Sequence, residues 1–169
     1  AECSLQSLDE YKQALARMLG HGGVVSLYLR AVFTHATDAV VHAMAIHRLL
    51  DPGSARTKAW AVPRAQALND EWPTLPPVPA GLKDVRHSLE HYEERLDEWA
   101  CTSTDHNYAD FNIGGGISGL ASQDNFRHLE GDRLFFWGYS VDLKEIEEWA
   151  RESHAQVSQT ISSRSRDSE

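Results

Sequence analysis

Residues 82–100, LKDVRHSLEHYEERLDEWA, place Leu82, Val85, Leu89, Tyr92, Leu96 and Trp99 at alternating spacings of three and four. Only an α-helix returns such positions to one side, because each turn takes about 3.6 residues. The spacing predicts one helix over 82–100 with an uninterrupted apolar seam, leaving Arg86, His87, Glu90, His91 and Glu94 on the other side. A seam of that length must be covered by other helices.

Partners for it are legible on both sides. SLDEYKQALARMLG sets Ser7 and Glu10 in capping-box spacing, puts Leu8, Tyr11, Leu15 and Leu19 on one face, and ends at Gly20. A first helix is expected over about 7–19. Residues 24–50 are apolar nearly all round and stop before Asp51-Pro52-Gly53, as a helix in the middle of a bundle does. All six prolines, at 52, 63, 73, 76, 77 and 79, fall in 51–81, which reads as an extended crossover with a short helix around Pro63 to Leu68. The chain from 101 to 125 is polar and glycine-rich. FRHLEGDRLFFWGYS then offers two short β-like runs about Gly131-Asp132, a small hairpin. Ser140 is placed to cap a last helix over 141–161, with Leu143, Ile146, Trp149, Val157 and Ile161 facing the core.

The fold expected is therefore all-α: a four-helix bundle with a small β-hairpin before the last helix and a proline-rich crossover loop. With 169 residues the chain is one domain, read as 1–161, followed by a flexible tail over 162–169 that has nothing to bury. No run of about eighteen apolar residues and no basic-then-apolar leader occurs, so no membrane association is expected. Cys3 and Cys101 form no CxxC pair and no disulfide framework, which fits a reducing cytoplasm. The formal net charge of −9 argues against a general nucleic-acid binder, which needs a basic stripe to displace counterions. Any work on RNA has to rest on a few local arginines or on a cleft completed by a second copy.

Left in water, the polar side of 82–100 is explained by ion pairs, Arg86 with Glu90 and His91 with Glu94 or Glu98. The same residues also resemble a known element. VRHSLEHYEERLDEW, with Arg86, a polar residue directly after it (His87), and His91, resembles the Arg-x4-His element of the HEPN superfamily, helical bundles that include prokaryotic ribonucleases and toxin or defence components. The resemblance implies a homodimer in which two copies form one RNA-cleaving cleft. It also implies metal-independent attack of a 2′-hydroxyl on the adjacent phosphate, with no cofactor. His91 would serve as general base or acid, since an imidazole moves protons in either direction near neutrality. Arg86 would hold the phosphate and His87 would position it or share the proton transfer. An antitoxin or other protein partner goes with such a system. The alternative is a non-catalytic relative that keeps the bundle and the dimer. Carboxylates at Glu90, Glu93, Glu94 and Asp97 favour that alternative, because they repel RNA. Arg30 to His35, RAVFTH, repeats the spacing, but apolar Ala31 follows the arginine.

Rival chemistries share these letters. His87-x-x-Glu90-His91 spells the inverted zinc-protease pattern, whose enzymes are larger and need a distant third carboxylate ligand. His35, Asp38, His42 and His47 recur at helical spacings that would suit a metal-dependent helix-bundle enzyme, or a satisfied polar strip beside the core. GGGISG, Gly114 to Gly119, satisfies GxGxxG but opens no apolar helix and is read as a flexible loop. The aromatics of FFWGY, 135–139, offer either a partner surface or, as preferred, a hairpin lid over one end of the bundle.

Overall fold

The structure, a computed structural model, describes residues 1–20, 25–53, 58–121 and 124–167. Helix α1 runs over Glu2–Gly20 and pairs along its length with α2, Val25–Leu50. α2 touches α1, α3, α4 and α6, the central position expected of a helix apolar nearly all round. Val32, Phe33, Ala36, Ala39, Val40 and Ala43 are fully enclosed, and the small residues let neighbouring helices approach closely.

α1 begins five positions before the expected Ser7, at Glu2, so the capping box is not used. Ser7 lies buried inside the helix, its Oγ 3.2 Å from His42 Nδ1. The proline segment also carries more helix than expected. α3 spans Lys58–Glu71 with Pro63 inside it. It is tied to the end of α2 by Arg64 Nη2 donating to the Arg48 carbonyl at 3.3 Å and Asn69 Nδ2 to the Leu50 carbonyl at 3.0 Å, two acceptors that a helix C-terminus leaves open. The following prolines run extended over α6, where Trp149 Nε1 donates to the Pro76 carbonyl at 3.0 Å.

The helix expected over 82–100 is broken. α4 covers Leu82–Glu90 and α5 covers Tyr92–Thr102, with His91 between them at φ −106°, ψ 39°. The seam is continuous in sequence but has two different partners. Leu82 and Val85 are buried where α4 meets α2, β3 and β4. Tyr92 stacks on Phe136 with centroids 5.6 Å apart, and Trp99 packs edge-on against Phe126 and Tyr108. A straight helix cannot serve both surfaces, and the bend at His91 turns the second half towards the sheet.

In place of a lone hairpin there is a four-stranded sheet in the order β1-β2-β3-β4. β1, Asn112–Ile113, is parallel to β2, His128–Glu130, while β3, Arg133–Phe136, is antiparallel to both β2 and β4, Tyr139–Asp142. The Gly131-Asp132 turn falls where expected, with Gly131 at φ 60°. The second turn, Trp137-Gly138, has both residues at positive φ, 54° and 78°, the requirement of a two-residue type I′ loop. Tryptophan is costly there, and burial against Phe126 at 5.7 Å offsets the strain. The FFWGY aromatics are thus not an exposed set: Phe136 and Trp137 are buried and only Tyr139 is well exposed.

α6 runs over Leu143–Asp167. Its first turn is capped by Asp142, whose Oδ1 accepts from the Lys144 and Glu145 amides at 2.9 and 3.3 Å, rather than by Ser140. Leu143, Ile146 and Trp149 are buried as expected, but Ile161 is 57% exposed, so the core seam stops before it. The helix continues to Asp167 through much of the segment read as a tail; residues 168 and 169 lie outside the described residues. The described chain is thus mostly helical, with six helices and a small four-stranded sheet before the last of them.

Candidate functional site

The break between α4 and α5 carries the polar residues singled out in the sequence. The amide of His91 still donates to the His87 carbonyl at 3.1 Å, and the Arg95 amide to the His91 carbonyl at 3.1 Å. That local path brings the two imidazoles together: the His87 and His91 ring centroids lie 4.5 Å apart, tilted by 52°. His87 is exposed and His91 half-buried. Nδ1 of His91 lies 3.0 Å from Glu94 Oε1, within ion-pairing distance of the carboxylate. Glu98 is taken by Arg95 at 3.0 Å.

Arg86 is not on the wet face expected for it. The residue is only 8% exposed, its Nη2 is paired with Glu90 Oε1, and its Nε is buried without a hydrogen-bond partner. Burial, reinforced by the positive charge of Arg48, lowers the Arg86 pKa from its ordinary value. Arg48 reaches the same carboxylate from the last turn of α2, Nη2 to Glu90 Oε2 at 3.4 Å, with its side chain 57% exposed. Glu90 is therefore bracketed by two arginines. The solvent-facing cation of the site is Arg48, which sequence reasoning missed because it lies on another helix. Its only advance signal was a basic residue in the last turn of a central helix.

The histidines of the second helix are spread among separate neighbours. His35 Nδ1 lies 3.2 Å from Glu10 Oε2 without a hydrogen bond, His42 meets Ser7, His47 Nε2 lies 3.7 Å from Asp51, and Asp38 is exposed. Among the described residues no group of three or more His, Cys, Asp or Glu side chains could hold a metal ion. GGGISG forms a loop whose Gly114, Gly115 and Gly119 have positive φ, and Asn125 Oδ1 accepts the Ile117 amide at 2.8 Å. Cys3 and Cys101 are free and exposed. No described helix is long and apolar enough to cross a membrane.

Comparison with known proteins returns nothing: no protein-family model, no curated protein and no solved structure matches the chain.

Proposed function

We propose that the chain is a HEPN-like, metal-independent RNA endonuclease that works through His87 and His91, with Arg48 and Arg86 supplying positive charge. The observation that carries this reading is the contact of the two imidazoles, 4.5 Å apart at a helix break, directly beside a buried arginine. Two adjacent groups that can each gain or lose a proton suit a reaction that needs a base and an acid at once. His91, oriented by Glu94, takes the proton of an RNA 2′-hydroxyl through Nε2. The 2′-oxygen forms a bond to phosphorus, the bond from phosphorus to the 5′-oxygen breaks, and a protonated His87 gives its proton to that leaving oxygen. The products are a 2′,3′-cyclic phosphate and a free 5′-hydroxyl. Exposed Arg48 contacts the phosphate, while Arg86 pairs with Glu90 from beneath and offsets its charge.

A homodimer completes this reading, since a second copy would cover the acidic flank and add its own pair of imidazoles. The resemblance at Arg86 to His91 supports a cytoplasmic toxin or defence component with an antitoxin or other protein partner.

A second reading has its own support. Glu90 already neutralises Arg86, and Glu94 engages His91, as in a non-catalytic interaction module that has kept the element for packing. Cleavage of a mixed RNA pool in excess EDTA separates the two. The nuclease reading expects cleavage by the wild type and its loss in His91→Ala. No wild-type cleavage, or equal cleavage by both proteins, would remove the role assigned to His91 and leave the interaction module.

A further inference from the structure

Away from the imidazole pair, a second concavity opens where α1, the Gly131-Asp132 turn and the start of α6 converge. Its volume is about 260 Å³, and Leu8 and Leu143 form the apolar part of its lining. Tyr11 lines it as well. This residue is 1% exposed, and its hydroxyl is buried without a hydrogen-bond partner, although buried phenols ordinarily find one. The turn is pinned over the concavity by the Leu143 amide donating to the Asp132 carbonyl at 2.9 Å.

The charges around it divide into two kinds. Lys12 and Glu147 satisfy each other, Nζ to Oε2 at 2.5 Å, and Glu147 is held further by Arg151 at 2.8 Å. Asp132 and Lys144, both exposed at the rim, have no ion pair and no side-chain hydrogen bond among the described residues, and both line the same space. One free carboxylate and one free ammonium flank a hydroxyl donor in a volume below that of ordinary drug-sized sites. A neutral polyol would leave both charges to water, and an anion would engage only one; a zwitterion engages both.

We propose that this concavity is a binding site for a small zwitterion of the free α-amino acid class. The ligand carboxylate lies between the Lys144 ammonium and the Tyr11 hydroxyl, and the ligand ammonium meets Asp132. Burial and the charge of Asp132 push the Tyr11 pKa up to about 12, so the phenol stays protonated and donates. The site is independent of the nuclease reading and stands or falls without it.

The test uses the full chain with free L-amino acids at millimolar concentration, read by ligand-detected saturation-transfer NMR, with glycerol and inorganic phosphate as comparison probes. At least one amino acid should bind, glycerol and phosphate should not, and Tyr11→Phe should weaken binding about tenfold. The ring remains in the core of that variant, so without ligand it should melt at the wild-type temperature or above, having lost an unpartnered buried hydroxyl. Four results would each overturn the proposal: no amino acid binds; glycerol or phosphate binds as well; Tyr11→Phe binds as the wild type does; or the unliganded variant melts lower, which would give the hydroxyl a structural bond.

Discussion

Asp110 gathers more interactions than any carboxylate at the proposed site. Its Oδ1 accepts from the Arg127 amide at 3.1 Å, Arg127 Nε at 2.9 Å and the Phe111 amide at 3.0 Å, while Oδ2 pairs with Arg127 Nη2. The guanidinium lies 4.1 Å from the Phe111 ring centroid and 4.9 Å from that of Tyr92. Removing the carboxylate strands a partly buried cation between two aromatic faces. Asp110→Ala is expected to cost about 3 kcal/mol in denaturant unfolding; a loss under about 1 kcal/mol would mean that solvent screens the pair. Nothing in the sequence pointed to it, because Asp110 sits in a polar stretch without period and Arg127 seventeen residues on, at the start of a β-like run. The pairs of Arg86 with Glu90 and of His91 with Glu94 were legible, being one helical turn apart. The burial of Arg86 was not, since a helical wheel cannot say how far neighbouring elements wrap round a helix.

Elements were read best where one straight axis carried the whole apolar pattern. α2 and the buried start of α6 match their apolar patterns, and the Gly131-Asp132 turn follows from glycine chemistry. The 82–100 seam misled because period reports a helix without reporting its axis, so two coaxial segments and two bent ones look alike. β1 was unreadable: two residues, Asn112 and Ile113, carry no alternation. Gly81 shows what fixes α4 in place. At φ 77° it precedes the helix, and a Cβ there would stand 1.9 Å from the Ser140 carbonyl oxygen. Gly81→Ala must strain its own backbone and push β4 away from α4, for a loss of at least about 2 kcal/mol in thermal or denaturant unfolding. A neutral variant would contradict this close approach of α4 and β4.

For the molecule as a whole, α1 and α6 are joined at the surface by Lys12 and Glu147, far apart in sequence. Lys12 first, with Arg151, holds the Glu147 pKa below its ordinary value of 4.5, against the opposing effect of burial. The folded state therefore takes up this proton less readily than the unfolded chain. The resulting stability is present in full above the ordinary glutamate range and fades as pH falls through the lowered value. Lys12→Met should reduce stability near neutrality by up to about 1 kcal/mol, with the difference from wild type closing in acid; a difference that persists at acid pH would exclude the ion pair as its source. The same fold that makes this link sets the break at His91 on its surface, where two imidazoles meet beside two arginines. Metal-independent attack by a 2′-hydroxyl is the reaction we propose for that place. The most direct measurement compares, in excess EDTA, an RNA oligonucleotide with the same sequence made entirely of 2′-deoxynucleotides. RNA should be cut to 2′,3′-cyclic phosphate ends, the deoxy strand should stay intact, and cleavage should be at least about a hundredfold slower in His91→Ala. An uncut RNA, a cut deoxy strand, or unchanged cleavage by the variant would contradict it.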